Sequence, residues 1–319
     1  MPKEQRKFVD EGWAIWIDGE DTSTVYINDW LNPKSKSYVD VAVHIRGIKA
    51  TKSLHVYVPF AVAQNEVEDV SLRFQDKKIL QATFSTACII DYKKNEHTSE
   101  IAYNGKTVDV VHISTFDYAV SAVAGGTLIE LDFEKIQPFI DNDEAYFIWR
   151  MPHKSLDEIF HKRVNMGSIL SRFRDLITTP VKEEKYNYSI RINEARRLPD
   201  EITRKGAFHR QRLKKAMVTL SIHEDYELND AGCNRIRRLE ENLYQGYLPK
   251  DYKCADAITY EWREDRAYSE QGHFNFYYNI SKNSISRGSM FLYVVLLLAL
   301  GVSGEFLASF VKLLIGWDP

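Results

Sequence analysis

The last thirty residues constrain this chain more than any other stretch. Met290 to Trp317 reads MFLYVVLLLALGVSGEFLASFVKLLIGW, and only Asp318 and Pro319 follow. From Phe291 to Gly304 no residue is charged. A bilayer core of about 30 Å takes about 20 helical residues, so this stretch can span one with some tilt. No other part of the chain approaches it. The expected layout is a folded body of about 285 residues on one C-terminal transmembrane helix, 290–317.

The N-terminus, MPKEQRKFVDEG, has no apolar core of a signal peptide. The body is therefore expected to stay cytosolic while the C-terminal segment inserts. Lys282 and Arg287 precede the span and only Lys312 lies near its end, which agrees with a cytosolic body under the positive-inside rule. Three cysteines, Cys88, Cys233 and Cys254, form no CxxC or Cys/His spacing, and a reducing compartment is the simple reading.

Residues 1–11 are polar and charged and read as a leader. From 12 to 152 the pattern is β. Val39 to Arg46 and Leu54 to Val58 alternate with period two, as does Thr127 to Phe133. Shorter runs at Val70–Phe74, Leu80–Ile90 and Val108–Ile113 also read as strands. Asp18-Gly19, Asn32-Pro33, Asn104-Gly105 and Gly125-Gly126 supply turn chemistry between runs. Asn104-Gly105 is a two-residue hairpin signal. Ser155-Leu156-Asp157-Glu158 reads as a capping box opening a helix to Ile177. A second, basic α+β domain then runs over 153–281. Its strands are expected at Tyr186–Ile192, Lys215–Ile222, Ala257–Trp262 and Phe274–Ile280. One helix is expected from Asp230 to Gly246, with Cys233, Ile236, Leu239 and Leu243 as its apolar stripe. A polar linker, 282–289, leads into the membrane. The predicted fold class is a β-rich α+β body, antiparallel and sandwich- or barrel-like, with one C-terminal transmembrane helix.

No motif of a nucleotide-binding loop, a dinucleotide fold, a serine-hydrolase elbow or a zinc protease is present. The expectation is a protein that is not an enzyme and has no cofactor, metal or catalytic residue. His44, His55 and His112 lie in strand patterns and read as polar-face or satisfied core histidines.

Two features rise above that background. Residues 161–215 hold fifteen Lys or Arg and six acids, a net +9 in a chain of net −3. Within them Arg191, Arg196, Arg197, Arg204, Lys205, His209, Arg210 and Arg212 are candidates for binding an anion, with Tyr186, Tyr188 and Phe208 interleaved to stack bases. A nucleotide messenger, a short oligonucleotide and an anionic lipid leaflet all fit. So does a plain basic surface that offsets the acidic remainder of the chain.

The second feature is Glu305, close to the middle of the apolar stretch. An acid facing lipid there costs about 2.5–3.5 kcal/mol or more. Gly301, Glu305, Ser309 and Lys312 step by four, four and three and share one helical face, beside the small pair Gly304 and Ala308. If four or more copies assemble, the glutamates leave lipid and ring a lumen that favours cations. A protonated Glu305, or a helix inserted only in part, is the other reading of the same acid.

A cytosolic sensing body on a minimal membrane segment resembles the single-pass membrane effectors of bacterial anti-phage signalling systems of the CBASS or Hailong type. The resemblance lies in the order of parts, the basic segment 161–215 and the Glu305 helix. It implies a homo-oligomeric ion channel of the inner membrane, toxic in abortive infection and controlled by a nucleotide or oligonucleotide from a partner nucleotidyltransferase. The alternative from another class is a tail-anchored adaptor whose body binds a protein and whose helix only fixes location.

Overall fold

The computed structural model describes residues 11–19, 23–32, 36–84, 88–89, 95–103, 105–153, 161–163, 181–206, 213–229, 232–250, 252, 256–265, 273–285 and 287–315. The chain divides into two compact units. The first is Met1–His161, Asn187–Glu224 and Asp230–Tyr278; the second is Lys162–Tyr186, Asp225–Asn229 and Asn279–Pro319.

The strands are β1 Glu11–Asp18, β2 Ser23–Trp30, β3 Ser37–Arg46, β4 Ser53–Val58, β5 Glu68–Asp69, β6 Cys88–Ile89, β7 Thr98–Tyr103, β8 Lys106–Val111, β9 Ala119–Val123, β10 Gly126–Asp132, β11 Glu144–His153, β12 His161–Arg163, β13 Val181–Ile192, β14 Leu213–His223, β15 Tyr226–Leu228, β16 Arg235–Arg238, β17 Ala257–Asp265 and β18 Phe274–Ile285. In the first unit they form two mixed sheets. One runs β18, β13, β1, β4, β10, β9; the other runs β16, β17, β14, β2, β3, β11, β8, β7, β6, with β5 beside β11.

The sheets are mixed where sequence reading expected antiparallel pairing. β13 lies parallel to β1, β14 to β2 and β8 to β11. The first two pairs join strands on either side of residue 153, and only a long connection can place such strands side by side in the same direction. Their sequences show the consequence. In β1, Trp13 to Ile17 is an uninterrupted apolar run buried at every position, as a strand covered on both faces reads. Local hairpins behave as the turn chemistry predicts. Tyr103 pairs with Lys106 across Gly105, whose φ is +73°. Val123 pairs with Gly126 across Ala124 and Gly125, both at positive φ, as a two-residue primed turn requires.

Aromatic pairs join residues of the two sheets or of the segments that leave them. Phe133, just after β10, stacks on Phe147 of β11 at 5.2 Å, and Trp262 of β17 meets Tyr278 of β18 at 4.6 Å. On the other side of the second sheet, Trp30, Tyr146 and Ile148 pack with Phe74, Leu80, Tyr244 and Tyr247. Within that cluster a buried ion pair is fully engaged. Arg150 Nε and Nη2 donate to the two oxygens of Asp40 at 2.6 and 2.8 Å. Tyr247 Oη and Trp30 Nε1 also donate to Asp40, at 2.7 and 2.8 Å. Arg150 Nη1 reaches the Tyr247 carbonyl at 2.7 Å, with the guanidinium 4.6 Å from the Tyr247 ring centre.

Three local expectations are corrected. Arg235–Arg238, read as part of a helix from Asp230 to Gly246, is instead the strand β16 on β17, and among the described residues of that range only Glu241–Tyr244 is helical. The helical spacing of Ile236 was coincidental, since its side chain is 60% exposed. Leu80 begins no strand. Lys77–Phe84 is a helix, started by Asp76, whose carboxylate accepts the Lys78 N–H at 2.8 Å. Val70–Phe74 lies largely in the 3-10 turn Ser71–Gln75. Of the helix expected from Ser155, residues 154–160 and 164–177 lie outside the described residues, and His161–Arg163 is the strand β12.

In the second unit β12 pairs with β13 and β15 with β18, where Tyr226 faces Lys282. β18 continues to Ile285 and the C-terminal helix, Arg287–Ile315, begins two residues later.

Candidate functional site

Two places carry chemistry. The first is the C-terminal helix. Its span Tyr293–Val311 is long and apolar enough to cross a membrane, and none of it is buried within the chain. At 1.5 Å per residue its 19 residues cover about 28 Å, close to a bilayer core. Phe306 is 74% exposed and Leu307 67%. Glu305, Ala308 and Ser309 are exposed as well, and a Cβ added at Gly301 or Gly304 would meet nothing within 4 Å. The continuous α-helix keeps Gly301, Glu305, Ser309 and Lys312 on one face, with the Lys312 side chain outside the described residues.

The second is a face of the first sheet. Strand register lays three rows across it. Ala14, Tyr57, Leu128 and Ser121 align; then Trp16, His55, Glu130 and Ala119; then Asp18, Ser53 and Asp132. Alternation puts all three rows on the same face. Leu198 and Ile202, from the segment around the helix Asp200–Lys205, cover the first row. In the other two rows the polar side chains Asp18, Ser53, His55, Glu130 and Asp132 gather beside the buried Trp16. The His55 ring lies flat on Trp16, 4.6 Å between centres. Its Nδ1 is 3.1 Å from Glu130 Oε1, and its Nε2 is 3.1 Å from Asp18 Oδ2 and 2.9 Å from Ser53 Oγ. Ser53 donates to Asp18 at 2.6 Å. Beside them is an open cavity of about 440 Å³, which Asp117, Tyr118, Asp132 and Lys135 complete.

The order Ser53, His55, Glu130 is that of a nucleophile, a base and an orienting acid. Asp18 changes its chemistry. Because Ser53 gives its proton to Asp18, the hydroxyl is not directed at a histidine lone pair. The patch is an acceptor-rich surface suited to a hydrogen-bonding or cationic group. No sequence motif announces it, because its four polar residues come from β1, β4 and β10; only the alternation of Leu54 to Val58, which carries His55 and Tyr57, was legible. His44 and His112 are buried; His44 Nε2 lies 2.9 Å from Glu144 Oε2, and His112 is hydrogen-bonded to Ser99 at 2.8 Å.

The basic candidates are partly committed to local acids. Arg191 and Arg196 both bind the buried Glu194, at 2.8 and 2.7 Å. Arg204 Nε donates to the Asp200 carbonyl at 3.2 Å. Arg197 and Lys205 are exposed, and His209, Arg210 and Arg212 lie outside the described residues, as does Phe208. Tyr186 and Tyr188 are buried, so neither offers a free stacking face.

Burial works against the charge on Glu194, but hydrogen bonds from Arg191 and then Arg196 outweigh it and hold the carboxyl below its ordinary value of 4.5. A carboxyl depressed on folding stabilises the fold above that ordinary value, and the contribution fades as pH falls through the lowered one. Glu194→Gln is therefore expected to lower the thermal midpoint at neutral pH and to leave it nearly unchanged in strong acid. An equal loss at both would show that the ion pairs contribute nothing.

Comparison with protein-family models finds no match, and comparison with curated protein sequences finds none either. Among solved structures, baculovirus P35 is similar with a TM-score of 0.21 and 9% identity, over 85% of this chain and 97% of that one.

Proposed function

We propose that the protein is a single-pass membrane effector whose C-terminal helices assemble in four or more copies and conduct cations past a ring of Glu305. The carrying observation is the helix itself, apolar over Tyr293–Val311, unburied, and bearing one acid near its middle. Among the described residues, thirteen large apolar side chains stand exposed between Met290 and Leu314. At about 1.5–3 kcal/mol per buried side chain, leaving them in water costs on the order of 20 kcal/mol. Lipid removes that cost but penalises Glu305, and assembly around a lumen removes both.

In this reading the body stays on the cytosolic side of the inner membrane, and its two sheets stack as a sandwich, which the Phe133–Phe147 and Trp262–Tyr278 contacts support. Arg196, Arg197, Arg204 and Lys205, exposed cations of the basic segment, receive an anionic nucleotide or oligonucleotide signal. The biological setting is the anti-phage defence that the order of parts resembles.

The test is reconstitution. The full chain in lipid vesicles is expected to pass potassium, and a chain whose residues 290–317 are replaced by a polyleucine anchor is expected to bind the vesicles without passing it. Equal flux from both would sink the pore reading, and absence of flux from both would leave the helix as an anchor.

A further inference from the structure

The first sheet ends on β9, and among the described residues no strand pairs with its outer side. Such an edge is a template for another strand, and proteins guard edges with charges, proline, bulges or shortness. β16, the edge of the second sheet, follows that rule with Arg235, Arg237 and Arg238. β6, at its opposite edge, is only two residues long. β9 has no such guard. Its five residues, AVSAV, include no charge and no proline, and it pairs with β10 without a register shift.

The backbone of β9 also has a defined outward side. The two-residue turn at Ala124 and Gly125 makes Val123 and Gly126 the hydrogen-bonded pair that closes the hairpin. Bonding direction alternates along an antiparallel strand. Val123, Ser121 and Ala119 therefore bond toward β10, and the N–H and C=O groups of Ala122 and Val120 point outward.

We propose that β9 pairs with β9 of a second copy of this chain, antiparallel about a two-fold axis through Ser121. This rests on the reading that copies assemble, and adds a contact in the body that is separate from the helix. The sequence is self-complementary in that register. Ala119 meets the partner's Val123, Val120 meets the partner's Ala122, and Ser121 meets the partner's Ser121. Each larger side chain lies opposite a smaller one, and the two hydroxyls meet on the axis, a favourable cross-strand pair. Charge selects the antiparallel direction. Asp117 precedes the strand and the uncharged turn at Ala124 and Gly125 follows it, so each copy's acid lies toward the other's neutral turn. Parallel pairing would bring like acids together. The same symmetric use of one patch on both copies is what a two-fold interface requires.

The contact is small, with Val120 and Ala122 exchanging four backbone hydrogen bonds with their counterparts. It is matched to copies already held on one membrane, where tethering raises the effective concentration toward about millimolar.

In the proposed register Ser121 and the partner's Ser121 form a non-hydrogen-bonded pair with Cα atoms about 4.5 Å apart, within disulfide range. Ser121→Cys in the full chain, in membranes under mild oxidation, is expected to give a covalent dimer that the parent chain with its three native cysteines does not. Adding Val120→Pro removes only an outward N–H, so the hairpin stays intact and the cross-link is expected to vanish. Native mass in detergent separates the possibilities. An oligomer without the Ser121→Cys cross-link, or one whose cross-link survives Val120→Pro, overturns the strand pairing and leaves helix assembly standing. A monomer without the cross-link overturns both.

Discussion

Asp40→Ala is expected to destabilise the first unit by about 3–5 kcal/mol, a large fraction of the about 5–15 kcal/mol that holds an ordinary domain folded. Asp40 is wholly buried and accepts four hydrogen bonds, two from Arg150 and one each from Tyr247 and Trp30. Removing it leaves a guanidinium that is 1% exposed with no counter-charge. Burial lowers the affinity of Arg150 for its proton, but the Asp40 carboxylate and its hydrogen bonds more than offset this and raise it. Asp40 also lifts the ionisation of the Tyr247 phenol after burial has done so, so the phenol remains a donor. The double substitution Asp40→Leu with Arg150→Met should cost far less than either single change, since no orphaned charge remains. Urea unfolding followed by tryptophan fluorescence measures all three. A loss near 1 kcal/mol for Asp40→Ala would mean that water or a shifted loop satisfies Arg150.

The second large effect lies in the helix. Glu305→Gln is expected to abolish most cation flux through reconstituted protein and to make membrane insertion easier by up to about 2.5–3.5 kcal/mol, the cost of an acid at mid-membrane. The two readouts move in opposite directions, which a general folding defect cannot imitate. Glu305→Asp keeps the charge and should retain cation selectivity. Reversal potentials in a salt gradient test the ring directly, because a lumen lined by carboxylates selects cations and one lined by amides does not. Flux and selectivity unchanged by Glu305→Gln would remove Glu305 from the conduction path.

Sequence reading succeeded where the determining contacts are local. The Gly105 and Gly125 turns were legible because a positive φ is a property of a few adjacent residues. The apolar helix was legible because its span follows from length and composition alone. Reading failed where a neighbour distant in sequence decided the outcome. Arg235–Arg238 carries weak strand signals and becomes β16 only because β17 offers a ladder, with Ile236 opposite Tyr260. The basic segment is a local case: Glu194, three residues from Arg191 and two from Arg196, binds both, while the Arg196 side chain stays exposed. No spacing rule links residues that meet only across β1 and β13.

The sequence by itself determined that this chain carries a membrane-length helix with one acid in it, and that its body is rich in strands. Those properties depend on hydrophobicity and period, which each stretch carries alone. Tertiary structure decided the parallel pairing of β1 with β13 and β2 with β14, the burial of Arg150 against Asp40, and the row of Trp16, His55 and Glu130. It also decided that β9 is the end of its sheet. Each of these depends on which strands become neighbours, a choice that no single stretch of sequence carries.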